Sequence, residues 1–255
     1  MKKIVKMIAL TAMLIIGGQA MAQTHGVMFA GASIPLKDYA DYDGFNDFAL
    51  LAYDEDDAAA GVGFNAGLKW YFNVGVEGLD VMLSIDGIYN GPCADLKSAY
   101  RSNEVSMSSQ FVGGSFSYSA TPKYINLPAM LGLNYRYHFN PNFGVYVEAG
   151  AGGNLRFITA LETTSKQDIL GVETKTVIRN EYDKAFSFAY QAGIGIVVAK
   201  NLVIGCSFYD LGKANVNMTE KKKIVANNVA NEYKDYKALG TVHPMMILGR
   251  IGFSF

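Results

Sequence analysis

Eight acidic side chains crowd one early segment: Asp38, Asp41, Asp43, Asp47, Asp54, Glu55, Asp56 and Asp57. Carboxylates at that density could hold a divalent cation. An EF-hand, however, needs acidic residues where Tyr39 and Leu50 stand, so a solvated acidic loop is the expectation. The opposite cluster, Lys221, Lys222 and Lys223, offers three point charges of the kind that pair with phosphate. Asp54 to Asp57 and Lys221 to Lys223 are therefore the candidate surface charge contacts. His25, His138 and His243 have no serine and carboxylate placed to complete a nucleophilic triad. Cys93 and Cys206 lack histidines at metal-ligand spacing and are too few for a disulfide scaffold. The sequence predicts no catalytic, cofactor or metal site, and hence a non-enzymatic chain. A net charge of -1 also excludes a general nucleic-acid binder.

The other ionisable residues have a different setting. Lys69, Asp80, Asp86, Arg136, Glu148, Arg156 and Arg250 each sit in a run where apolar residues recur at every second position. The clearest run spans 124–157. Ile125, Leu127, Ala129, Leu131, Leu133, Tyr135, Tyr137 and Phe139 take one face, and Asn126, Asn134, Arg136 and His138 the other. After the turn residues Asn140-Pro141-Asn142 the alternation resumes, with Val145, Val147, Ala149 and Leu155 opposite Tyr146, Glu148, Asn154 and Arg156. A period of two is strand periodicity.

Similar runs are predicted over about 25–36, 59–72, 79–90, 185–198, 202–211 and 245–255, giving roughly eight strands in all. The phase of the first is ambiguous, since Val27 and Phe29 compete with Met28 and Ala30. Connections alternate between long and short without exception. All short turns and both chain ends then fall at one end of the strands, and all long segments at the other. The long segments read as loops, apart from 224–239, where Val225, Val229, Tyr233 and Tyr236 could share one face of a short helix.

These runs exceed the usual 5 or 6 residues of a globular strand and match the roughly 9 to 11 that cross a bilayer. Rings gather at the short-turn end: Trp70, Phe72, Tyr137, Phe139, Phe143 and Phe253 form the expected aromatic girdle. A cation on a lipid face near the midplane costs about 2 to 4 kcal/mol. The seven charged strand residues are therefore predicted to point inward as an ion network. Lys69 with Asp80, and Arg136 with Glu148, would pair across hairpins, and Arg250 would join when the last strand closes on the first. Pro128, inside a strand, predicts a local bulge. At the N-terminus, Lys2, Lys3 and Lys6 precede an apolar run and Ala20-Met21-Ala22, so residues 1–22 read as a signal peptide and 23–255 as the barrel. An uncleaved anchor and an exported soluble sandwich are the rival readings.

Together the signal peptide, KYINLPAMLGLNYRYHF, GVYVEAGAG, AYQAGIGI, FYDLG and the terminal ILGRIGFSF resemble the outer-membrane β-barrel (porin-family) proteins of Gram-negative bacteria. The resemblance implies an all-β, eight-stranded antiparallel up-and-down transmembrane barrel with short periplasmic turns and long extracellular loops. It places the chain in the outer membrane as a monomer, among lipid and lipopolysaccharide. Phe253 and Phe255 would be the signal read by the barrel-assembly machinery, although Arg250 stands where that signal often carries glycine. Because a barrel of roughly eight strands has an interior just filled by side chains, the expected role is surface interaction, adhesion or envelope integrity through the loops. A narrow channel for ions or a small solute is the alternative.

Overall fold

A computed structural model of the chain describes residues 24–41, 58–110, 114–169, 172–199, 201–226 and 229–255. The signal peptide and the acidic residues Asp43 to Asp57 lie outside these residues.

Eight strands close into a barrel: β1 (Thr24–Leu36), β2 (Ala60–Val76), β3 (Leu79–Pro92), β5 (Tyr124–Asn140), β6 (Phe143–Ile158), β9 (Ala185–Val198), β10 (Leu202–Asp210) and β13 (Met245–Ser254). Every pairing is antiparallel, and β13 bonds to β1 from Val27↔Ser254 to Leu36↔Met245. The ladder continues to the last residue, where Gly26 N–H and Phe255 N–H donate to each other's carbonyl at 3.1 and 2.9 Å. Closure leaves the barrel without an edge strand. The ambiguous first strand is settled by burial. Val27 and Phe29 face inward at 1% and 4% exposure, whereas Met28 faces outward at 55%.

Three of the long segments, 91–123, 158–184 and 212–242, carry regular structure among the described residues. Five further strands, β4 (Ser115–Ala120), β7 (Leu161–Ile169), β8 (Val172–Tyr182), β11 (Ala214–Ala226) and β12 (Val229–Val242), form a second sheet in the order β12-β11-β8-β7-β4. A helix, α1 (Ala94–Gln110), packs against β4. The short helix predicted over 224–239 is therefore absent. Its described residues, 224–226 and 229–239, belong to β11 and β12, and β11 is held between β8 and β12 by ladders on both sides. A short isolated helix has no comparable support, because its nucleus is costly and its bonds are few.

Pro128 produces no bulge. The β5–β6 register runs unshifted through Pro128↔Asn154, and the β3–β5 pairing lapses between Ile85↔Ala129 and Ile88↔Asn126 without changing register. The missing N–H is absorbed as a gap in one ladder.

Candidate functional site

Four ionised side chains meet inside the barrel: Lys69 from β2, Asp86 from β3, Glu148 from β6 and Arg250 from β13. Each is at most 4% exposed. Lys69 Nζ donates to Glu148 Oε1, which also accepts from Ser207 Oγ at 3.2 Å, while Tyr71 OH donates to Oε2 at 3.4 Å. Arg250 Nη2 lies 3.1 Å from Asp86 Oδ1, and its Nε donates to Asn65 Oδ1 at 3.1 Å. Tyr209 OH donates to Asp86 Oδ2 at 2.8 Å, and the Arg250 guanidinium stands 5.0 Å from the Tyr209 ring centroid. Two cations thus balance two anions where either sign alone would be strongly destabilising.

The expected hairpin pairs do not form. Lys69 is opposite Ser84 rather than Asp80, and Arg136 is opposite Tyr146 rather than Glu148. In a barrel this narrow a long side chain reaches across the lumen more directly than along the wall, so the ion pair joins β2 to β6. Arg136 instead contacts His25 Nε2 at 2.9 Å and lies over the Tyr71 ring at 5.6 Å, near the short turns. Asp80 sits beside Asn73 at the same end. Arg156 is at the far end, where it donates to the carbonyls of Val242 at 2.7 Å and Gly212 at 3.1 Å. It anchors the two segments that rise into the second sheet and takes no part in the ion network.

Glycines make room for this arrangement. A Cβ on Gly193 would meet Glu148 Oε1 at 2.7 Å, and one on Gly67 would meet Asp86 Oδ1 at 2.0 Å. Each bulky acidic group lies across a bare stretch of the neighbouring strand, Glu148 opposite Gly193 and Asp86 opposite Gly67. Apolar clusters close the polar layer at both ends. Val27, Phe29, Tyr71, Met82, Tyr146, Val197 and Val203 fill the turn end. At the other mouth Tyr39, delivered by the 3-10 turn after β1, is fully buried with Tyr124, Tyr209, Leu211 and Met246.

The outer wall has the opposite chemistry. Tyr137, Phe139, Phe143, Phe253 and Phe255 are exposed at the turn end, with Trp70 and Phe72 half-buried beside them. Phe64, Phe186 and Phe188 are exposed near the other end, a second ring of aromatics that the sequence reading missed. Between them Leu83, Ile85, Leu131, Leu133, Val147, Ile194 and Ile251 face outward. Ionised groups inside a closed cylinder and exposed oily side chains outside have one stable surrounding, a lipid bilayer. This is a transmembrane β-barrel of the outer-membrane type.

No protein-family model matches the sequence, and no curated protein matches it. Among solved structures the barrel is similar to the outer membrane protein OprG from Pseudomonas aeruginosa, with 12% identity, a TM-score of 0.40, and coverage of 91% of this chain and 95% of that one. It is also similar to Ail, the attachment invasion locus protein of Yersinia pestis, with 16% identity, a TM-score of 0.37, and coverage of 92% and 100%. A third likeness is to the outer membrane protein AlkL, with 13% identity, a TM-score of 0.33, and coverage of 91% and 90%. The assignment rests on the closed ladder and the sidedness of the wall.

Beyond the barrel, the second sheet carries a line of ion pairs on one face. Arg179 reaches Glu162 at 3.3 Å and Glu181 at 3.1 Å, Lys221 reaches Glu181 at 2.6 Å, and Lys223 reaches Glu232 at 3.1 Å. The Lys221 hydrogen bond, helped by Arg179, holds the Glu181 carboxyl below the ordinary carboxylate range. Lys221, Lys222 and Lys223 therefore stand in mid-strand and not on a loop tip. Lys222 is on the opposite face, in one cross-strand row with Ile178 and Tyr233. Cys93 and Cys206 are both free thiols. Cys93 Sγ accepts the Leu96 N–H at 3.4 Å at the start of α1, and Cys206 faces outward.

Proposed function

We propose that this protein is a non-catalytic outer-membrane anchor that holds a five-stranded sheet outside the bilayer for surface contact. One observation carries the reading: the lumen is occupied by paired charges and capped by apolar clusters, while the second sheet stands apart from the barrel ladder and presents exposed side chains. A barrel of eight strands has an interior just wide enough for side chains to fill. Its outward wall meets outer-membrane lipid, the aromatic ring nearest the sheet lies at lipopolysaccharide depth, and the terminal strand with Phe253 and Phe255 serves as the assembly signal.

The channel reading draws on a different observation. Ser84 Oγ, Asn134 Oδ1, Asn154 Oδ1 and Gln191 Oε1 are buried in the lumen without a protein hydrogen-bond partner, a polar track that water could follow. Conduction would require the Lys69–Glu148 and Arg250–Asp86 pairs to part.

Replacing residues 216–240 with a tight turn separates the two readings. The anchor reading predicts that the variant still inserts and keeps its heat-modifiable gel mobility but no longer promotes adhesion of the cells that display it. Adhesion unchanged by the replacement would refute it.

A further inference from the structure

β5, β6 and β9 are neighbours in the barrel wall, and their registers line up its outward side chains near the external sheet. Ile125 lies beside Phe157, Leu127 beside Leu155 and Phe186, and Leu131 beside Ala151 and Tyr190. Two lysines stand just above these rows, Lys123 one residue before β5 and Lys184 one residue before β9, and both are exposed. The wall positions each of them. Lys123 N–H donates to Thr159 Oγ1 at 2.9 Å and Thr159 N–H donates to the Lys123 carbonyl at 3.0 Å, which ties the first lysine to the end of β6. The ammonium of Lys184 is held 5.1 Å from the centroid of the Phe157 ring.

Neither ammonium is neutralised. Lys221 and Lys223 are paired with Glu181 and Glu232, but no carboxylate among the described residues, Asp183 included, comes within ion-pair distance of Lys123 or Lys184. Contact with the Phe157 ring leaves the charge of Lys184 intact and its N–H groups able to donate. β5 and β9 are two strand spacings apart, about 10 Å, with β6 between them. Two lysine side chains close that gap on a single phosphate seated above Phe157, and lysine suits phosphate as a point charge.

The wall below the lysines decides what carries the phosphate. Leu127, Leu155 and Phe186 are exposed there, at the ring of aromatics that marks the outer interface. Farther down, Ala151 and Ala149 leave a shallow trough on β6, between Leu131 and Leu133 of β5 and Tyr190 of β9. A free phosphate would use only the lysines, whereas a phosphate that bears acyl chains uses the lysines and the trough together. We infer that Lys123 and Lys184 clamp the phosphate of one outer-leaflet lipid, a phosphorylated glycolipid of the lipopolysaccharide kind, with an acyl chain lying along β6. The site is in the barrel wall, so it shares its orientation with the surface-contact reading and is independent of what the sheet binds.

The test keeps the full chain in a neutral detergent, adds lipid A, and measures by native mass spectrometry the fraction of protein that carries it. Wild type should bind lipid A about tenfold more tightly than the same lipid A stripped of phosphate by a phosphatase. K123Q/K184Q should lose that preference and keep its heat-modifiable gel mobility, and K123R/K184R should retain the preference. K166Q/K175Q, which removes two exposed lysines from the external sheet, should retain it as well. A wild type that binds both lipids equally, or a K123Q/K184Q variant that still prefers the phosphorylated one, overturns the inference. Displacement of lipid A by an equimolar amount of inorganic phosphate would mean a site for a free anion, and would overturn it too. The adhesion measurement on the variant lacking residues 216–240 is untouched by any of these results, so the two readings fail separately.

Discussion

At the scale of single residues, the lumen is governed by the cost of an unmatched charge. Lys69→Ala leaves the Glu148 carboxyl, buried at 4% exposure, with only hydroxyl donors. Removing one partner of a buried pair costs about 3 to 5 kcal/mol. Thermal or urea unfolding in detergent should register that loss, whereas Arg136→Ala, whose side chain is half-buried and not paired to Glu148, should cost clearly less. Equal losses would contradict the assigned pairing. The glycines make a second test. Gly193→Val drives a methyl into the space of Glu148 and should destabilise the barrel by about 1 to 3 kcal/mol in the same measurement. Outside the membrane, the carboxyl of Glu181 is held below its unfolded value, so its contribution is present above the usual carboxylate range and lost as pH falls through the folded value. An acid-active protease should nick the external sheet at a constant rate from neutral pH down to about 5 and faster below about 4. In Glu181→Gln that acid-dependent rise should be absent.

At the scale of elements, legibility followed the membrane. Strands that face lipid on one side and a polar lumen on the other must alternate strictly, and the boundaries read from Leu83, Leu131, Val147 or Ile194 agree closely with those in the structure. The external strands meet no such demand. Thr163, Thr164, Ser165, Thr174, Thr176 and Lys175 put polar groups on both faces, so β7 and β8 carry no period-two signal, and only two buried residues, Leu96 and Tyr100, mark the packed face of α1. The interior pairs were misplaced for a related reason. Sequence spacing gives hairpin neighbours, but Lys69 and Glu148 are separated by 79 positions and meet only because the sheet curls into a closed wall. The inward direction of each charge was legible from its phase, and its partner was not.

At the scale of the whole molecule, the barrel and the sheet divide the work. The barrel satisfies all its backbone edges by closing and compensates its buried charges internally, so its lumen has little left to offer a solute. The sheet does neither, since among the described residues β12 has a strand on one side only and exposed side chains remain on the side away from the short turns. On the proposed function the active surface lies above the membrane and the lumen is structural. Recording current across planar bilayers that contain the purified full-length protein addresses this most directly. The account predicts an electrically silent membrane under conditions where insertion is verified by protease protection. Stable conductance steps whose size changes with Lys69→Met or Glu148→Gln would mean that ions pass between those side chains, and would contradict it.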